Sequence, residues 1–134
     1  MRIWSAAFIT ALSLGIADAA MDTKGHAQTV IVLKSGESVE LHTVYYISNC
    51  RSIMVGLPQV EVLEGPPQVS LTVQEGMVLP RNQNCSNRVP GGTVTAIAKD
   101  VQQATEAKLT YRVKYKTKDG DRQRGHVYRL SLFP

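Results

Sequence analysis

Three histidines, two cysteines and a cluster of lysines and arginines near the C-terminus are the groups in this 134-residue chain that can do chemistry. His42 and His126 lie in segments of strand character, and His26 lies in a polar stretch near the N-terminus. Neutral imidazoles ligate copper and zinc and carry protons near neutral pH. If His42 and His126 meet across strands they make two corners of such a site, which two ligands leave incomplete. His42 therefore reads as a partly exposed strand histidine. The chain has no GxSxG, no HExxH and no glycine-rich phosphate cradle. No nucleophile with an activating base can be named. The expectation is a protein that is not an enzyme, with no catalytic residue, no metal and no cofactor.

Cys50 and Cys85 are the only cysteines. They lack the CxxC spacing of redox or metal thiols. An even count behind an export signal predicts a Cys50–Cys85 disulfide. That signal is residues 1–19. Met1-Arg2 is a short positive start, residues 3–16 are apolar with small interruptions, and Ala17-Asp18-Ala19 fits small-x-small cleavage. Cleavage leaves about 115 residues and removes Trp4, the only tryptophan. No second apolar stretch is long enough to cross a membrane, so the mature chain is expected to lack a transmembrane helix and to be periplasmic or secreted.

Charge is unevenly placed. Residues 20–107 hold six Lys/Arg against eight Asp/Glu, whereas residues 108–134 hold eight against two. If Leu109, Tyr111, Val113 and Tyr115 face a core, then Arg112, Lys114 and Lys116 line the opposite face. Arg122, Arg124 and Arg129 return on the next strand or its turn, which predicts a basic ribbon on one sheet face. Such a ribbon either protects an edge or attracts an anion. Behind a signal peptide the anion is an envelope component such as lipopolysaccharide, lipid heads or an acidic glycan, or an acidic protein. Nucleic acid is not expected, because base-stacking aromatics are few and Tyr111 and Tyr115 face away. Lys118-Asp119-Gly120-Asp121 resembles the start of a calcium loop but lacks the later bidentate Glu, so it reads as a hairpin turn. Asn84-Cys85-Ser86 fits the glycosylation pattern, with an oxidised cysteine at its centre.

The elements that must position these groups are short strands. Residues 20–28 read as a flexible lead-in. Residues 29–34 and 39–47, separated by a turn at 35–38, read as a hairpin, with Val39, Leu41, Thr43, Tyr45 and Ile47 on one face. Strands follow at 59–63 and 68–74, then a turn at Glu75-Gly76 and a short strand at 77–79. Residues 81–92 form the longest loop, and Arg81, Arg88, Val89 and Pro90 are its contact candidates. A strand at 93–99, helical composition at 100–107, and strands at 108–116 and 125–133 complete the domain.

This strand pattern over residues 29–134, with Asn49-Cys50, Asn84-Cys85 and the Tyr111/Tyr115 strand before a terminal hairpin, resembles small periplasmic or secreted proteins of the immunoglobulin-like or fibronectin-III-like kind. The resemblance implies an all-β fold: an antiparallel β-sandwich of about seven or eight short strands. The cysteine spacing is shorter than in a true immunoglobulin domain, and the buried tryptophan is missing. The expected function is a non-enzymatic binding or structural domain of the bacterial envelope, contacting an anionic partner through the hairpin. The alternative is a small inhibitor or accessory subunit, acting on an envelope enzyme through the disulfide-stiffened 81–92 loop.

Overall fold

A computed structural model describes residues 29–81 and 84–134. The expected signal peptide and lead-in lie outside these residues. Nine strands and no helix occur among them: β1 (Val30–Lys34), β2 (Ser38–Val44), β3 (Ile47–Ser48), β4 (Arg51–Ser52), β5 (Gln59–Glu64), β6 (Val69–Val78), β7 (Val89–Ala98), β8 (Thr105–Thr117) and β9 (Gly120–Phe133). They form a four-stranded sheet ordered β1-β9-β8-β5, a three-stranded sheet ordered β2-β7-β6, and a small β3-β4 pair. Pairing is antiparallel except for β1, which runs parallel to β9.

The two larger sheets share one core. Strand alternation turns Leu109, Tyr111, Val113 and Tyr115 of β8 and Leu130 and Leu132 of β9 inward. They meet Val44 of β2 and Val94, Ala96 and Ala98 of β7, while Leu33 closes the core from β1. Each fully buried Leu or Val contributes roughly 1.5–3 kcal/mol.

Several expectations are corrected. Residues 29–34 and 39–47 do not pair as a hairpin, because their turn carries the chain from one sheet to the other. Gly36, at φ +90°, donates to the Ala98 carbonyl at 2.8 Å, and Ala98 donates to Glu37 at 3.0 Å. A register shift between Glu40 and His42 then reverses the strand's phase, so Val44 is buried and Thr43 exposed. Glu75-Gly76 is not a turn: β6 runs through it to Val78, paired with β7 throughout. Residues 100–107 are not helical. Asp100 has φ +57°, outside the right-handed helical region, and β8 begins at Thr105.

Val89-Pro90-Gly91-Gly92, the end of the expected 81–92 loop, is also strand. Pro90 is tolerated in the central β7 because the pairing with β2 ends at Val44–Gly92, leaving Pro90 opposite only Met77 of β6. Gly91 and Gly92 let backbones approach closely. A Cβ on Gly91 would collide with the Val44 carbonyl oxygen and sit 2.7 Å from Val78 Cγ2; one on Gly92 would lie 2.8 Å from the Gln74 carbonyl.

Gly91→Ala is therefore expected to destabilise the protein by about 1–3 kcal/mol in urea unfolding. Gly76→Ala, where a Cβ meets nothing within 4 Å, is expected to change stability by under about 0.5 kcal/mol. Equal effects would show that the close approach at Gly91 does not govern the result.

Candidate functional site

The basic residues are displayed by β8 and β9, joined by the two-residue turn Lys118-Asp119. Thr117 faces Gly120, which holds φ +114°, and the Thr117 hydroxyl donates to the Gly120 carbonyl at 2.6 Å. Directly opposed residues of an antiparallel pair share a face. Lys116–Asp121, Lys114–Gln123, Arg112–Gly125 and Lys108–Arg129 therefore point outward, whereas Arg122 faces Tyr115 and Arg124 faces Val113 on the core side. Arg124 lies over the Tyr46 ring, 5.4 Å from its centroid, and Tyr46 packs on Tyr115. The single ribbon expected of Arg112, Lys114, Lys116, Arg122, Arg124 and Arg129 is thus corrected: register puts Arg122 and Arg124 on the other face.

Sheet order decides which cations stay unpaired. β5 lies beside β8 and opposes Glu61 to Arg112. Glu61 takes Arg112 at 2.8 Å and Lys114 at 2.7 Å. Lys114 and then Arg112, hydrogen-bonding to the carboxylate, hold Glu61 below its ordinary value. Glu64 approaches Lys108 at 3.8 Å, and Glu106 approaches Arg129 at 3.7 Å. Exposed pairs of this kind add little stability, but their three carboxylates offset most of the charge of the four root cations. Lys116, Lys118, Arg122 and Arg124, all exposed, have no ion pair among the described residues. Glu61 was not singled out from the sequence; its alternating strand was visible, its neighbour was not.

A cleft opens beside this end of the hairpin. Met54 sits opposite Thr117, and Val55 donates to Lys116 at 2.7 Å. Residues 56–58 then bow away, with Gly56 at φ +82°, before Gln59 returns opposite Lys114. The gap is about 540 Å³ and is lined by Leu57, Gln59, Lys114, Lys116, Asp121, Arg122, Gln123 and Tyr115. Because it opens ahead of the start of β5, residues of both faces, Lys116 and Arg122, line it.

Cys50 and Cys85 are bonded, tying the β3–β4 turn to the loop before β7. Arg81 donates its backbone N–H to the Tyr45 hydroxyl at 3.1 Å. Arg81 and Arg88 are exposed loop residues, but Val89 is buried and both Val89 and Pro90 belong to β7. The loop is thus shorter than expected. The disulfide closes a separation of 35 residues, so the Cys50→Ser/Cys85→Ser double variant is expected to lose roughly 3–4 kcal/mol in denaturant unfolding.

His42 and His126 do meet, and they do so across the two sheets. The bulge in β2 turns His42 inward, and the rings stack with centroids 4.2 Å apart. His42 Nδ1 lies 3.0 Å from the Thr43 carbonyl, which only accepts, so Nδ1 carries the proton and Nε2 accepts from the Tyr111 hydroxyl at 2.7 Å. Tyr111 stacks in turn on His126 and Tyr128. Imidazoles lying face to face run their in-plane lone pairs alongside one another instead of converging them on a metal. No group of three His, Cys, Asp or Glu is placed to hold one among the described residues. Burial lowers the His42 pKa against the Thr43 hydrogen bond, and burial, then the His42 and Arg124 charges, lower His126 to about 4. Burial likewise pushes the Tyr111 hydroxyl up. His126 Nε2 is buried without a hydrogen-bond partner among the described residues.

In the unfolded chain both imidazoles take a proton near pH 6.5. Folded, His126 does not until about pH 4. Between these values the unfolded state binds more protons, so stability present at neutral pH is lost as pH falls from about 6.5 toward 4. His126→Phe is expected to flatten that part of the thermal-midpoint profile; an unchanged slope would place the acid sensitivity elsewhere.

No protein-family model matches the chain and no curated protein is similar to it, so the functional reading rests on this geometry.

Proposed function

We propose that this chain is an exported, non-enzymatic binding domain of the bacterial envelope, built as an immunoglobulin-like sandwich, that holds an anionic partner at the tip of the β8–β9 hairpin. The observation that carries this reading is the segregation of charge. Three carboxylates of β5 and β8 offset most of the charge of the hairpin root, while Lys116, Lys118, Arg122 and Arg124 make no ion pair among the described residues, and Lys116 and Arg122 line a cleft. Four cations against the two tip carboxylates, Asp119 and Asp121, leave the tip a positive potential that attracts anions. Two sheets around one core support the sandwich architecture. The disulfide supports an oxidising compartment. Among the described residues no helix is long and apolar enough to cross a membrane. Tyr111 and Tyr115 are buried and give bases no platform, which favours a non-nucleic anion. Val89 and Pro90 lie in β7, which leaves less chain to insert into an enzyme and favours the hairpin reading over the inhibitor one.

The test is elution from a polyanion column under a salt gradient. Lys116→Gln/Lys118→Gln/Arg122→Gln is expected to elute at clearly lower salt than the unmodified protein. Lys108→Gln/Arg129→Gln, at the ion-paired root, is expected to shift far less, although it also removes two positive charges. Equal shifts per charge removed would reduce the tip to a solvated face.

A further inference from the structure

The cleft at the hairpin tip carries more than positive charge. Register places Gln59 of β5, Lys114 of β8 and Gln123 of β9 in one row across three adjacent strands. Strands lie about 4.8 Å apart, so the two amides flank the lysine over roughly 10 Å. Each amide offers both a donor and an acceptor. The next row pairs Lys116 with Asp121, and Arg122 and the half-exposed Leu57 close the sides.

This set is a poor match for a plain polyanion. Asp121 only accepts hydrogen bonds when ionised, as do the two amide oxygens. Against a phosphate or sulfate oxygen all three are idle, and Asp121 repels. A ligand that uses every group carries one acidic substituent for Lys116 and Arg122, several hydroxyls for Asp121 and the amides, and an apolar C–H face for Leu57. We infer that the cleft binds a sugar bearing a single carboxylate or phosphate, as a residue of an acidic glycan. A cleft of about 540 Å³ is in the range of small-molecule sites. This inference rests on the hairpin-tip reading and specifies its ligand class.

The experiment is an NMR titration of the purified protein with four probes: glucuronate, glucose 6-phosphate, glucose and inorganic phosphate. Glucuronate and glucose 6-phosphate are expected to shift the Gln59 and Gln123 side-chain amide signals and to bind at least tenfold tighter than glucose or inorganic phosphate. Gln59→Ala/Gln123→Ala is expected to weaken the acidic sugars about tenfold. Asp121→Ala is expected to weaken the acidic sugars yet strengthen inorganic phosphate. Inorganic phosphate binding as tightly as glucose 6-phosphate, or Asp121→Ala strengthening both, overturns the sugar assignment. If no probe binds while the tip cations still govern column elution, the sugar assignment falls and the anion reading stands. If the tip cations do not govern elution either, both fall.

Discussion

The pairing of β8 with β9 is the constraint on which the other features depend. It runs from Thr105–Leu132 to Thr117–Gly120 without a shift in register. Inward residues of both strands supply much of the core, and their outward residues supply the charged face. The two-residue turn at its end sets the parity of everything that follows. One residue more in that turn would move Arg124 from over Tyr46 to the outside and send His126 away from His42, since a slip of one residue reverses every side chain of a strand. The cation over Tyr46, the imidazole stack and the composition of the cleft are therefore consequences of one register.

What was legible in the sequence was local. Alternation identified Leu109, Tyr111, Val113 and Tyr115 as a core face, and Asp119-Gly120 marked the turn. Both signals lie within a few residues, where strand period and glycine's freedom at positive φ act directly. Export-linked cysteine counting likewise found the Cys50–Cys85 bond. The strands read at 29–34 and 59–63 were visible from local composition and correspond to β1 and β5.

What was not legible was partnership. Nothing near residue 35 says that β1 will join β9 in one sheet while β2 joins β7 in the other. That choice is made by the shared core, in which Leu33 and Val44 serve different sheets. The same gap hid Glu61 as the partner of Arg112, and hid the parity of Arg122 and Arg124, which depends on the turn's length rather than its composition. Pro90, Gly91 and Gly92 misled because their composition is that of a turn. Their use depends on how near Val44 and Val78 approach, a tertiary fact. The bulge at Glu40–His42 also misled, since one extra residue reversed the face of the strand read at 39–47, which ends at Val44.

The basic end and the histidine stack are one electrostatic system. Arg124 and His126 occupy the same face of β9, two residues apart. Burial above all, then the charge of His42 from the opposite sheet and then that of Arg124, makes His126 resist protonation. A protonated stack would put two cations in a half-buried gap between the sheets, with the unpaired arginines of the hairpin close by. Neutral imidazoles avoid that repulsion and let Tyr111, His42 and His126 pack as flat rings. The inward hydroxyl of Tyr111 then finds its acceptor on His42 Nε2. The Arg124 charge over Tyr46 thus lies beside a histidine pair that stays neutral only while the pH remains well above the point at which it charges.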